Sequence, residues 1–184
     1  VRIIAGAFRG RKLSAIRGMA IRPTADRVRE ALFNILATRP VAATVLDLFA
    51  GTGALGLEAL SRGALRAVFV DQAPAALQAI RKNIQLCRAE ASTQVIQWNI
   101  LNNLNCLRDQ AGRFDLIFID PPYNRGLIPP TLAHLVALEL AAPEALIVAE
   151  HDPAEIIAPP SPDWEQIDQR RYGQTQLSFF ARQP

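Results

Sequence analysis

The sequence predicts an α/β fold: a mostly parallel, seven-stranded sheet with helices on both faces, an antiparallel C-terminal hairpin and a small N-terminal hairpin and helix ahead of it. Three observations carry this. Short apolar runs alternate with segments of helical periodicity through the middle of the chain, which is the pattern of a parallel sheet with crossover helices. Those runs are almost continuously apolar, as strands buried on both faces must be. The tail departs from the pattern with two strand-like runs around Tyr172-Gly173, a hairpin signal.

Each element follows in turn. Residues 45–49 (VLDLF) read as the first strand, which enters a glycine turn, and 55–60 begin a helix that stops before Gly63. Residues 67–70 form the next strand, ending at Asp71. Residues 75–86 place Leu77, Ile80, Ile84 and Cys87 on one helical face. A strand at 93–98, a helix around 101–107 and a strongly apolar strand at 114–119 (FDLIFI) come next. A helix over 130–140 leads to a strand at 145–149, and 164–169 and 176–181 pair as the hairpin. Upstream, residues 1–16 read as a small hairpin. Residues 26–37 read as an amphipathic helix with Val28, Leu32, Ile35 and Leu36 inward, Thr24 or Asp26 as its cap, and Pro23 near its start.

Half of the 184 residues are apolar and 20% are charged, a globular composition long enough for one sizeable core. No apolar run approaches the roughly 20 residues needed to span a bilayer, and no signal peptide opens the chain, so a cytoplasmic protein without membrane contact is expected. Cys87 and Cys106 lack metal-ligand spacing and read as reduced thiols, and with His134 and His151 the only histidines, no metal is expected. Charge is uneven. Residues 1–39 carry nine basic residues against Asp26 and Glu30, while 40–184 are net acidic. Eighteen of the twenty basic residues are arginines, the side chain that suits phosphate and stacked bases. The expected organisation is a basic hairpin-and-helix extension over 1–39 and one compact catalytic unit over 40–184.

The turn Gly51-Thr-Gly53-Ala-Leu-Gly56 satisfies G-x-G-x-x-G, and Asp71 lies twenty positions past Gly51, where a ribose-binding carboxylate belongs. A dinucleotide needs such a turn to offer amides to a pyrophosphate. Asp47, four residues ahead of the first glycine, would repel that group. It would instead suit the ammonium of S-adenosylmethionine, which carries no phosphate. Asp47, Asp71, Asn99 and Asp120 all fall at carboxyl ends of strands, the binding edge of an open α/β sheet. Asp120-Pro121-Pro122-Tyr123 follows the 114–119 strand directly. Asp120 offers an acceptor, the stiff proline pair turns the Pro121 carbonyl toward the site, and Tyr123 offers a face for stacking a base. Two acceptors gripping the hydrogens of an exocyclic amino group favour the tetrahedral, partly positive nitrogen of methyl transfer over the flat ground state.

With these residues in place, the chain resembles the class I adenosylmethionine-dependent methyltransferases, a Rossmann-like fold, and within them the RsmD family. RIIAGAFRGRKL (2–13), RPTADRVREALFN (22–34), DLFAGTGALGLEA (47–59), DPPYNRGL (120–127) and YGQTQLSF (172–179) carry the resemblance over nearly the whole chain. It implies transfer of a methyl group to guanine N2 in 16S rRNA of the small ribosomal subunit. It also implies that Asp47, Phe49, Ala50, Gly51 and Gly53 line the methionine part of the cofactor, Asp71 its ribose, and Gln72, Asn99 and Ile100 its adenine. Thr24 and Arg27 would close over its carboxylate, and Arg2, Arg9, Arg11, Lys12 and Arg22 would track RNA phosphates. A bulky RNA must reach the active-site face, so a monomer is expected. The nearest rival is an adenine-N6 methyltransferase on DNA or RNA, because Asp-Pro-Pro-Tyr serves there too. A nicotinamide oxidoreductase would leave that motif unexplained.

Overall fold

The computed structural model describes residues 1–16, 23–110 and 112–183. Its elements run α1 (Pro23–Leu36), β1 (Thr44–Leu48), α2 (Ala54–Ser61), β2 (Arg66–Asp71), α3 (Pro74–Cys87), β3 (Thr93–Gln97), β4 (Phe114–Ile119), α4 (Ile128–Ala137), β5 (Ala141–His151), β6 (Trp164–Tyr172) and β7 (Thr175–Arg182). They build one seven-stranded sheet in the order β3-β2-β1-β4-β5-β7-β6. The first five strands are parallel, and β7 runs antiparallel between β5 and β6. The hairpin at the sheet edge is therefore as predicted, with its second strand inserted inward and the polar β6 left outermost.

Successive side chains on a strand point to opposite faces, and the core divides accordingly. Phe69, Phe118 and Phe179 join Phe33, Leu57 and Ile80 on the side of α1, α2 and α3. Leu48, Ile117 and Phe180 join Leu132 and Leu135 of α4 on the other. Leu48 pairs with Val70 on one side and Ile119 on the other, so Phe49, Asp71 and Asp120 leave the sheet at one level. The strand order reverses direction at this place, between β1 and β4, where open α/β sheets bind ligands.

Several sequence expectations need correction. Helix α1 begins at Pro23, so Asp26 is no cap; it lies in the first turn and pairs with Arg29 at 3.0 Å. Its buried face is Val28, Leu32, Phe33 and Leu36, and Ile35 is 38% exposed. Phe33, which packs its ring 5.8 Å from that of Phe118, takes the inward position instead. No α-helix forms over 101–107. The amides of Leu101 and Asn105 bond the side chains of Asn99 and Asn103, local turns that compete with helix, and a 3-10 segment follows at Asn105–Gln110. The N-terminal hairpin reduces to the bridge Arg2–Lys12 with flanking backbone bonds. Among the described residues, no helix is long and apolar enough to cross a membrane.

Candidate active site

The glycine turn joins β1 to α2, and its conformation is held by contacts that only this backbone permits. Gly53 has φ +75°, and Phe49 sits at φ 58°, a costly value for a residue with a side chain. Gly56 lies in α2 directly over β2. A Cβ there would stand 2.4 Å from Cε1 of Phe69, so glycine sets how closely helix and sheet approach. All three glycine amides are already paired. Gly51 N donates to Asp71 Oδ2 at 2.9 Å, Gly53 N to the Ala50 carbonyl at 2.7 Å, and Gly56 N to Asp47 Oδ2 at 2.9 Å. The turn therefore offers no free glycine amides to a pyrophosphate, and two of its donors end on carboxylates.

Asp47 is 1% exposed, on the face of β1 that α2 covers. Burial pushes its carboxyl up to about 7, the Gly56 amide opposes that rise, and the charge of Asp71 adds to it. Asp71 bonds Gly51 through one oxygen and the Ala73 amide through the other at 2.9 Å, which leaves a second lone pair on each for a ligand hydroxyl. Beyond Asp71 a cavity of about 540 Å³ opens, lined by Gln72, Gln97, Trp98, Asn99, Asn102 and Asn103. The structure thus brings Gln72 and Asn99 together at one cavity. Ile100 is buried in the second core layer, so its side chain is committed to packing.

On the other side of β1, Asp120 follows β4. Its carboxyl is raised well above the ordinary range by burial first, then by the charges of Glu150 and Asp47. Pro121 is buried and Pro122 exposed. Tyr123 is half-buried, and its hydroxyl lies 2.6 Å from Glu150 Oε1 and 3.1 Å from Thr175 Oγ1. Burial and the neighbouring Glu150 raise the phenol's pKa. The charges of Glu150 on β5 and Asp47 on β1 thus both act on Asp120 beyond β4. Such a concentration of acids favours a ligand carrying positive charge.

The N-terminal segment is clamped onto this frame by side chains of α2 and α3. Glu58, fully buried, accepts from the amides of Ile4 at 2.8 Å and Ala5 at 3.0 Å and from Arg62 at 2.9 Å. Ser61 receives the amides of Ala7 and Phe8. A Cβ on Gly6 would fall 1.7 Å from the Ser61 carbonyl, and φ +79° also demands glycine there. Asn83 bonds the Ser14 amide at 2.6 Å and donates to the carbonyls of Ser14 at 3.1 Å and Thr52 at 2.9 Å, joining the segment to the glycine turn.

Arg2, Arg9 and Lys12 are exposed on this segment, whereas Arg11 is half-buried, donating to the Leu86 carbonyl at 2.7 Å and lying 5.3 Å over the Phe8 ring. Arg2, Arg9 and Arg27 line a cavity of about 440 Å³ with Asp26 and Glu30. Thr24 stands in the first turn of α1, and Arg22 lies outside the described residues. Sequence reasoning missed Glu150, Glu58 and Asn83. Each had a signal: an acid ending the apolar run 145–149, a charge in the apolar helix ALGLEALS, and a polar residue on the inward face of α3.

Residues 1–181 match the family described as conserved hypothetical protein 95. The chain is 37% identical to ribosomal RNA small subunit methyltransferase D of Escherichia coli K12 over 183 residues, which is 100% of this chain and 90% of that one. It is 35% identical to the protein of the same name from Haemophilus influenzae, over 94% and 89%. Among solved structures, Escherichia coli yhhF superposes with a TM-score of 0.84 at 37% identity, covering 99% and 97%. The protein SMU.776, solved with SAH, shares the fold at a TM-score of 0.66 and 19% identity, over 87% of this chain and 50% of that one.

Proposed function

Because the chain belongs to the RsmD family, we propose that it transfers a methyl group from S-adenosylmethionine to the exocyclic N2 amino group of a guanine in 16S rRNA of the small ribosomal subunit. The observation that carries this reading is the glycine turn closed by Asp47 and Asp71 beside Asp120-Pro121-Pro122-Tyr123. The turn suits a phosphate-free cationic cofactor, and the tetrapeptide suits an amino group on a base.

When bound, the cofactor supplies a methyl group activated by a sulfonium. Asp47 would pair with its ammonium. Phe49, Ala50, Gly51 and Gly53 would line its methionine part, and Thr24 and Arg27 would close over its carboxylate. Asp71 would accept from the ribose hydroxyls, Gln72 and Asn99 would border the adenine in the 540 Å³ cavity, and Ile100, its side chain buried in the core, would approach the adenine edge through its backbone. Asp120 and the Pro121 carbonyl hold the two hydrogens of the guanine amino group while Tyr123 stacks on the base. With the amino group held there to receive the activated methyl, Asp120 would take the N–H proton that the nitrogen releases. Desolvation and the charges of Glu150 and Asp47 raise the affinity of Asp120 for that proton.

Residues 1–39 serve as a basic extension on the catalytic unit 40–184. Arg2, Arg9, Arg11, Lys12 and Arg22 track phosphates while the guanine leaves its stack. The enzyme acts as a monomer in the cytoplasm.

The test is transfer of labelled methyl to unmodified small ribosomal subunits followed by nucleoside analysis. Label in N2-methylguanosine is expected. Label in N6-methyladenosine would overturn the guanine assignment and leave the cofactor and amino-group chemistry standing.

A further inference from the structure

We infer that Glu150 is a positioning residue for methyl transfer, acting through the Tyr123 hydroxyl to present the tyrosine face to the base beside Asp120; this rests on the function proposed above. The Tyr123 hydroxyl has one proton and two neighbours, Glu150 Oε1 at 2.6 Å and Thr175 Oγ1 at 3.1 Å. A bond to a charged acceptor is about twice as strong as one between neutral groups, so the proton goes to Glu150 and the threonine hydroxyl donates to the phenolic oxygen. The ring edge is thereby tied to β5 and to β7 at once. The next residue is tied as well: Asn124, at φ 58°, donates to Asp152 Oδ2 at 3.3 Å. Two adjacent side chains thus moor the loop after β4 to the end of β5. Base–aromatic stacking is worth about 1–3 kcal/mol when the ring is in place, and an untethered ring forfeits part of it.

The charge of Glu150 also acts on Asp120, as does that of Asp47 from β1, with the neutral Tyr123 on the loop itself. Removing the Glu150 charge lowers the proton affinity of Asp120, an effect that a purely mechanical tether would not have.

The experiment compares methyl transfer to unmodified small subunits by the unaltered chain, Tyr123→Phe, Glu150→Ala, Glu150→Gln and Tyr123→Phe with Glu150→Ala. Each of the first two substitutions is expected to lower kcat/KM for the RNA roughly 5–20-fold, with the affinity for adenosylmethionine unchanged. The double variant should be no worse than the poorer single one, because both remove the same bond. Glu150→Gln, whose amide oxygen still accepts from the tyrosine, should recover most of the loss seen in Glu150→Ala. It should also move the acid limb of the rate profile to lower pH. Multiplying losses, or a Glu150→Gln profile superimposable on the unaltered one, overturns the inference even if Glu150→Ala fails to fold. No transfer by the unaltered chain overturns the proposed function and this role together; transfer with multiplying losses overturns the role of Glu150 alone.

Discussion

Asp71 Oδ2 accepts the Gly51 amide at 2.9 Å, so the carboxylate ending β2 braces the turn that ends β1. The acid proposed to take the ribose thus also shapes the neighbouring loop. Asp71→Ala should remove both the brace and the hydroxyl acceptor, weakening cofactor binding by roughly 10–100-fold. Asp71→Asn keeps one acceptor oxygen and should fall between. Calorimetric titration with adenosylmethionine and its demethylated product separates the three chains.

Asp47 is buried with its carboxyl raised to about 7, and the sign of its effect follows from that direction. The native state holds the proton more tightly than the unfolded chain. The associated stability is complete below the ordinary carboxylate range and is lost as pH rises through about 7. Asp47→Asn should therefore stabilise the free protein at pH 8 by roughly 1–3 kcal/mol, with the gain vanishing near pH 4. The same variant should bind adenosylmethionine poorly, and the unaltered chain should bind it more tightly as pH rises through the same window. Thermal melts and binding across pH 5–9 check both; a variant less stable at pH 8 would overturn the assignment of buried strain to Asp47.

Asp120→Asn should leave cofactor affinity within about threefold while kcat falls by at least roughly 100-fold, because the acceptor and proton sink act on the base. Equal loss of both quantities would place Asp120 in the cofactor site instead. Single-turnover transfer beside equilibrium binding makes the distinction.

Gly56→Ala puts a methyl group 2.4 Å from a ring carbon of Phe69, beneath a helix that cannot lift without losing the bond to Asp47. Overpacking of this kind should cost about 1–3 kcal/mol, read as a lower Tm. Pairing it with Phe69→Leu should recover part of the loss.

Alanine at Arg2, Arg9 or Lys12, all exposed, should weaken RNA binding and reduce the slope of log affinity against log salt by about 1 each. Arg11 should matter less to the salt slope and more to stability, since its guanidinium is engaged with Leu86 and Phe8. Filter binding at several salt concentrations tests the contrast.

The fold was legible where periodicity is strong and local. The apolar strands 114–119 and 145–149 needed only their nearly continuous apolar runs, and the inward face of α3 only its helical spacing. The expected helix over 101–107 failed because four asparagines between 99 and 105 offer the backbone nearer partners than the next helical turn. Ile35 failed because the stripe of Val28, Leu32 and Leu36 can widen on either flank, and contact with Phe118 selected the flank of Phe33.

Sequence by itself determined the acids and glycines at the strand ends, because strand boundaries and turn residues are read from neighbours in the chain. Partnerships across the sheet were decided only by tertiary structure. That Tyr123 meets Glu150, that Asn83 joins Ser14 to Thr52, and that Asp47 and Asp71 occupy the glycine amides all depend on which strand lies beside which. Strand order sets those meetings through packing between residues far apart in sequence, and no local pattern encodes it.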